Sequence, residues 1–143
     1  MLKTYFNTDF KGKKVIISGS GKVGSMTLKK VVELGAVVVG MSDNNGYVAD
    51  PNGLNVDEII ELAKAKGEFT KDYVVKHSDV QHGDNSRELW NVPCEIALPC
   101  ATQGEINLDN AKQLKKNGCY MLAEGANMPC DLEAILFKLF CVV

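Results

Sequence analysis

Three glycines, Gly19, Gly21 and Gly24, form a Gly-x-Gly-x-x-Gly turn directly after the apolar run Val15–Ile17. In a strand-to-helix turn of this kind, the first glycine permits the tight turn and the second lets the backbone approach a pyrophosphate. The third lets the helix pack closely on the strand. The N-terminus of that helix also presents unpaired N–H groups and a positive dipole end to the phosphates. The spacing therefore predicts a dinucleotide-binding turn, with a simple tight turn as the alternative.

Asp43 stands where a ribose-binding acid is expected. It follows the glycine turn by about 20 residues and comes after a second apolar run, 36–41. A carboxylate at the end of the second strand accepts hydrogen bonds from the adenosine ribose, and a free carboxylate there favours the 2′-hydroxyl of NAD over the 2′-phosphate of NADP. The alternative is that Asp43 initiates the turn at Asn44–Gly46.

Two further polar segments follow predicted strands. Thr102 and Gln103 come after the apolar segment Cys94–Pro99, and Asn127 comes after Cys119–Ala123. Because ligands of open α/β sheets bind at the carboxyl ends of the strands, these side chains are placed to contact a cofactor. The alternatives are an ordinary loop with Thr102 as a helix cap and a bare turn at Asn127.

The elements that position these residues alternate between strand and helix. Strands are predicted over Lys13–Ser18, Ala36–Met41, Cys94–Pro99 and Cys119–Ala123, and helices over Lys22–Leu34, Asn55–Lys66, Leu108–Asn117 and Leu132–Phe140. The segment Ser42–Asn55 is predicted to be a loop, and Phe69–Trp90 a short helix, a short strand and a connector. The first helix is expected to bury Val23, Met26, Val31 and Leu34. The alternation predicts an α/β fold, a Rossmann-like, doubly wound parallel sheet in three αβα layers.

Composition bounds the class of protein. At 143 residues, with 45% apolar and 24% charged side chains, the chain suits one globular domain over 1–143. Sixteen basic and 18 acidic residues give a formal charge of -2, and no dense Lys/Arg block marks a nucleic-acid-binding surface. No apolar run approaches the ~18 residues of a spanning helix, and the N-terminus lacks the apolar core of a signal peptide. No nucleic-acid or membrane partner is expected, and the default location is cytoplasmic.

The cysteines and histidines give no metal site and no nucleophile. The five cysteines lie in or beside apolar runs without Cys-x-x-Cys spacing, which indicates reduced, mostly buried thiols. His77 and His82 lie in a polar stretch with no cysteine near them, so no zinc site is expected. Cys100 has no evident base, which favours a packed thiol. No catalytic residue and no metal ligand is therefore assigned.

Four strings together carry a resemblance to a known family. They are Lys13–Gly24, Ser42-Asp43, Ile96–Gln103 and Ala123–Pro129. They resemble the coenzyme domain of hexameric glutamate dehydrogenase, and most of all its NADP-type microbial branch, over nearly the whole chain from Met1 to Phe140. The Cys-Ala-Thr-Gln and Glu-Gly-Ala-Asn-Met-Pro strings are more specific than the glycine turn, and they argue against the related leucine and phenylalanine dehydrogenases.

The resemblance implies an activity, a cofactor and a set of site residues. The family oxidatively deaminates L-glutamate to 2-oxoglutarate and ammonia, passing hydride to a nicotinamide dinucleotide; NADP is expected, with NAD as the alternative. By resemblance, Ser42 and Asp43 lie by the adenosine ribose. The pyrophosphate lies at the turn formed by Gly19, Ser20, Gly21, Lys22, Val23 and Gly24. The nicotinamide half lies near Ala101, Thr102, Gln103 and Asn127.

The chain also departs from the family pattern. Lys22 replaces a usual asparagine, and so either adds a positive charge near the phosphates or displaces a contact. Gly104 and Cys130-Asp131 are further departures. Lys64 and Lys66 are candidates to compensate Asp43 beside a 2′-phosphate.

Nothing in the chain matches the family's catalytic substrate domain or the glycine-rich segment after the last helix. The resemblance therefore implies a fold truncated at its C-terminal end, with an unpaired sheet edge, bare apolar surface and no glutamate turnover by the chain alone. A stand-alone nucleotide-binding or interaction module, or a non-catalytic remnant, is the alternative.

Overall fold

Seven strands form one sheet in the order β4-β3-β2-β1-β5-β6-β7 in the computed structural model, which describes residues 9–137 and 141–142. The strands are β1 (Lys14–Ser18), β2 (Val37–Asp43), β3 (Gly46–Ala49), β4 (Gln81–Gly83), β5 (Ile96–Leu98), β6 (Met121–Leu122) and β7 (Cys141–Val142). The helices are α1 (Lys22–Glu33), α2 (Val56–Lys66), α3 (Thr70–Lys76), α4 (Leu108–Lys116) and α5 (Leu132–Leu136), with a 3₁₀ helix over Ser86–Asn91. Residues 1–8, 138–140 and 143, which include the N-terminus and the end of the predicted last helix, lie outside the described residues.

The central strands are parallel, which confirms the predicted α/β fold class. Strands β2, β1, β5, β6 and β7 pair in parallel. The sheet is nevertheless mixed, because β3 and β4 pair antiparallel at one edge. Within the predicted loop Ser42–Asn55, the residues after Asp43 turn into a hairpin in which Asp43 pairs with Gly46. At the other edge, β6 pairs with β7, which is the last strand in the order.

Two apolar clusters lie on opposite faces of the sheet and account for its three layers. In β1, Val15 and Ile17 enter one cluster and Ile16 enters the other, because side chains alternate along a strand. The first cluster takes in residues of α1, α2 and α3, and the second takes in the 3₁₀ helix, α4 and α5. Among the helices of the described residues, none is long and apolar enough to cross a membrane.

Helix α1 faces the sheet with a different side from the one predicted. Its buried residues are Gly24, Leu28 and Val31. Of the four residues expected to be buried only Val31 is, since Val23, Met26 and Leu34 are 47%, 61% and 44% exposed. The reason is the close packing of Gly24 on the glycine turn, which fixes the rotation of the helix, so that positions four and seven residues later point inward.

A cluster of charged groups joins α2 to α3 and predicts a pH effect. Glu58 accepts hydrogen bonds from His77 at 2.7 Å and Lys76 at 2.9 Å, and these two contacts hold the pKa of its carboxyl below the usual 4.5. The resulting stabilisation is present above pH 4.5 and is lost as the pH falls through the lowered pKa. We expect Glu58→Gln to flatten the acid limb of the stability–pH curve, measured by urea unfolding. An unchanged acid limb would contradict this.

Candidate functional site

The carboxyl ends of β1, β2 and β5 open onto one cleft, the place where open α/β sheets bind ligands. The cleft has a volume of about 290 Å³. Its walls are the glycine turn after β1, the end of β2, the loop after β5 and the 3₁₀ helix. The lining residues are Gly19, Ser20, Gly21, Ser42, Asp43, Asn44, Gly67, Ser86, Arg87, Trp90, Cys100, Ala101, Thr102 and Glu105.

Seven of the twelve predicted site residues line this cleft. They are Gly19, Ser20, Gly21, Ser42, Asp43, Ala101 and Thr102. Lys22 lies in a neighbouring groove, Val23 is exposed on α1, and Gly24 packs beneath the turn. Gln103 and Asn127 are exposed on two loops that a hydrogen bond joins, from Gly104 N–H to the Met128 carbonyl at 3.0 Å. The structure thus brings the predicted segments to one edge of the sheet, but Gln103 and Asn127 are not among the residues that line the cleft.

Two of the three glycines are required by the fold itself. Gly19 has a φ of +83°, and a Cβ there would lie 3.0 Å from the Ala101 Cα. A Cβ on Gly24 would collide with the Gly19 carbonyl oxygen. These two positions hold the turn against the loop after β5 and the helix against the turn.

Gly21 is different, because nothing in the described protein requires a glycine there. Its φ of -69° and ψ of -167° are accessible to any residue. Apart from Gly21 itself and its two chain neighbours, no atom of the described structure would lie within 4 Å of a Cβ at this position. The glycine instead leaves open space at the mouth of the cleft, as close backbone approach by a bound group would need.

The N-terminus of α1 has no side chain to cap it. Its N-cap residue is Gly21, and its first turn carries no acidic residue. By contrast, Asn55, Asn107 and Asp131 cap α2, α4 and α5 with their side chains. An anion beside Gly21 would therefore meet free helix N–H groups and the positive end of the dipole.

Asp43 is buried in the wall of the cleft, and its carboxylate is already occupied. Oδ1 accepts from the Asn45 N–H at 2.8 Å and the Thr70 hydroxyl at 2.7 Å. Oδ2 accepts from the N–H groups of Phe69 at 2.6 Å and Thr70 at 2.9 Å. The carboxylate thus fills its roughly four acceptor sites within the protein and serves to cap α3. The expectation of a free carboxylate at this position is therefore wrong.

A second groove of about 270 Å³ lies on the other side of the glycine turn, between α1 and α2. It shares Ser20, Gly21 and Gly67 with the cleft. Its cations are Lys22, Lys29 and Lys64. The Ser20 hydroxyl donates to the Gly67 carbonyl at 2.5 Å, which ties the turn to the end of α2. The glycine turn therefore has positive charge on the side of this groove, whereas Glu105 lies on the side of the cleft.

Sequence reasoning missed Arg87 and Glu105 and did not place Trp90 in the cleft. The signal for the 3₁₀ helix was Asn85, whose side chain accepts from the Arg87 N–H at 3.1 Å. Trp90 is 1% exposed and also lines the cleft. Glu105 had no local signal, because it is a lone acid in a polar loop.

Cys100 is a packed thiol, as expected. It is 7% exposed, and burial raises the pKa of its thiol, which disfavours the nucleophilic thiolate. Over residues 9–137, moreover, no group of three or more His, Cys, Asp and Glu side chains is arranged to hold a metal ion.

Comparison with known proteins identifies the family. The sequence model for glutamate/leucine/phenylalanine/valine dehydrogenases matches residues 1–138. Glutamate dehydrogenase of Bacteroides thetaiotaomicron and NAD(P)-specific glutamate dehydrogenase of Xylanibacter ruminicola are each 44% identical over 138 residues, 94% of this chain and 30% of theirs.

The fold agrees with the sequence comparison. The crystal structure of Plasmodium falciparum glutamate dehydrogenase superposes with a TM-score of 0.87 at 37% identity, over 99% of this chain and 31% of that one. The chain therefore spans about 30% of the length of the curated relatives it matches. On the match of the family model, the chain belongs to the glutamate/leucine/phenylalanine/valine dehydrogenase family.

Proposed function

We propose that this chain is the coenzyme-binding part of a glutamate dehydrogenase and that its cleft binds a nicotinamide dinucleotide. The observation that supports this most strongly is Gly21, a glycine that the fold does not need, at an uncapped helix N-terminus. The names of the most similar relatives support the substrate and the cofactor class. When bound, the cofactor would take up the hydride as glutamate is oxidatively deaminated to 2-oxoglutarate and ammonia.

Each predicted segment would contact a different part of the cofactor. The N–H groups at Gly19–Gly24, with Ser20, Lys22 and Val23 between the glycines, would hold the pyrophosphate. Ser42 and Asp43 would lie by the adenosine ribose. Ala101, Thr102, Gln103 and Asn127 would lie by the nicotinamide half. We propose that 1–143 acts as one NAD(P)-binding unit and that glutamate turnover depends on the parts of the relatives that these residues do not match.

The charges around the glycine turn favour NADP(H) over NAD(H). Asp43 has no acceptor site left for a ribose 2′-hydroxyl, because the protein occupies its carboxylate. Lys22 and Lys64 lie in the groove that adjoins Ser20 and Gly21, where they would attract a 2′-phosphate. The Asp43 carboxylate thus has a structural role, and the groove beside the glycine turn supplies positive charge.

Titration of the purified chain tests both the binding of a dinucleotide and the preference for NADP(H). We expect saturable binding of NADPH and of NADH, with a lower Kd for NADPH. Calorimetry and the fluorescence of Trp90, the chain's one tryptophan, measure the binding. Lys64→Ala should weaken NADPH by about fivefold and leave NADH nearly unchanged, since an exposed ion pair contributes about 1 kcal/mol. Lys112→Ala, on α4 and away from the cleft, is the matched control. A folded chain that binds neither dinucleotide would contradict the proposed function, and equal affinities would contradict only the preference.

A further inference from the structure

One buried acid supports the loop that follows β5. Glu105 is 5% exposed, and its Oε1 accepts from the N–H groups of Ala101 at 3.1 Å and Thr102 at 3.3 Å. A single carboxylate oxygen therefore fixes two successive peptide groups of a loop that lines the cleft.

Ser18, the last residue of β1, extends this support. Its Oγ accepts from the Cys100 N–H at 2.9 Å, and its side chain hydrogen-bonds the Glu105 carboxylate. Three consecutive N–H groups, those of residues 100–102, are thus bound inside the protein. From the other side of the loop, Arg87 Nη2 donates to the Gly104 carbonyl at 3.5 Å.

Burying an ionisable side chain at this place is costly, which indicates that the loop needs its acceptor oxygen. Burial raises the pKa of the Glu105 carboxyl, and the hydrogen bonds of Ser18, Ala101 and Thr102 together with the charge of Arg87 oppose that rise. The apolar core does not need the side chain, because the next residue, Ile106, is 0% exposed and supplies the core contact. Glu105 accepts hydrogen bonds from the cleft loop and from Ser18 of β1, and Arg87 acts on it through its charge.

We infer that Glu105 is a positioning residue for the nicotinamide half of the dinucleotide: by holding the N–H groups of Ala101 and Thr102, it presets the loop against which that half binds. The inference rests on the proposed function. It makes Glu105 a support that acts through the loop, with no contact of its own to the cofactor. What the carboxylate contributes is its reach, the length of side chain that carries an acceptor oxygen to the two N–H groups, rather than its charge.

The test separates the two halves of the cofactor. The measured quantity is the affinity ratio of NADPH to adenosine 2′,5′-bisphosphate, which lacks the nicotinamide half, determined by calorimetry on the full chain. A general loss of folding would weaken both ligands together and leave the ratio unchanged. Only a displaced loop changes the ratio.

Three variants distinguish reach from charge. Glu105→Ala and Glu105→Asp should each lower the ratio about tenfold, because the first has no acceptor and the second is one methylene too short to hold both N–H groups. Glu105→Gln keeps an oxygen at the same reach and should stay within about twofold of the wild type. If Glu105→Ala does not fold, the contrast between the Asp and Gln variants remains decisive.

Two results would overturn the inference. One is a ratio that stays within about twofold of the wild type in Glu105→Asp, which would make Glu105 a structural residue only. The other is an equal fall in the Gln and Asp variants, which would show that the charge of the carboxylate matters as much as the length of the side chain. Failure of the wild-type chain to bind NADPH at all is a different result, because it removes the proposed function itself.

Discussion

Gly21→Ala is expected to abolish dinucleotide binding while leaving the fold intact. The residue has ordinary backbone angles, and, its chain neighbours apart, no atom of the described protein would lie within 4 Å of an added methyl group, so an alanine fits the free chain. The loss of unfolded-state freedom favours the alanine and its poorer capping of α1 opposes it, so the free energy of unfolding should stay within about 1 kcal/mol of the wild type. In the complex, however, the methyl group would occupy the space that the pyrophosphate needs. We expect the Kd for NADPH to rise at least about a hundredfold.

Gly24→Ala is the matched control, and its expected result is the reverse. Its methyl group would collide with the Gly19 carbonyl oxygen, so the turn and α1 must separate. We expect a loss of roughly 2–4 kcal/mol in the free energy of unfolding, measured by urea denaturation. Gly21→Ala binding NADPH like the wild type, or unfolding like Gly24→Ala, would contradict the assigned roles.

Asp43→Ala is the second substitution with a large expected effect. It removes the acceptor of four hydrogen bonds and leaves the N–H groups of Asn45, Phe69 and Thr70 without that partner. Because a buried donor left unsatisfied costs about 1–3 kcal/mol, we expect a loss of roughly 3 kcal/mol or more in the free energy of unfolding. Urea denaturation of the variant measures it.

Binding by the same variant distinguishes a structural Asp43 from one that contacts the ribose. If its carboxylate only holds the wall of the cleft, NADPH and NADH should weaken together. If it binds the 2′-hydroxyl, NADH should weaken more, because NADPH carries a phosphate at that position. Asp43→Asn, which keeps the shape and loses part of the acceptor set, should show an intermediate loss of stability. A free energy of unfolding within about 0.5 kcal/mol of the wild type in Asp43→Ala would contradict the capping role.

The two buried acids of the cleft show what sequence reasoning could and could not predict. Spacing placed Asp43 at the end of β2, and the structure agrees. Its task was hidden because three of its hydrogen bonds come from Phe69 and Thr70, far along the chain in the segment that was hardest to interpret. Glu105 gave no signal at all, since its role depends on the burial of one loop. Local patterns predict where a strand ends, but long-range contacts decide what its last side chain does.

The helices and strands likewise divide into features that local sequence predicts and features that long-range packing decides. The glycine spacing predicted the turn between β1 and α1, because each step of that turn is local. It did not predict which face of α1 is buried, since hydrophobicity favoured Val23 and Met26 while close packing at Gly24 decided the rotation. The hairpin of β3 was missed for a related reason. Its four residues are too short to show an alternating pattern, and only pairing with β2 makes them a strand.

Mapping the bound cofactor by two-dimensional nitrogen–proton NMR tests the central claim most directly, and a chain of 15.6 kDa suits the method. On addition of NADPH, we predict the largest amide shifts at Gly21–Ser25 and at Ala101–Thr102, together with a shift of the Trp90 indole N–H. Amides of α4, away from the cleft, should stay in place. The account would be contradicted if the shifts fell instead in the separate cavity beside α3 and β4, lined by Lys71 and His82, or if none occurred in a folded chain.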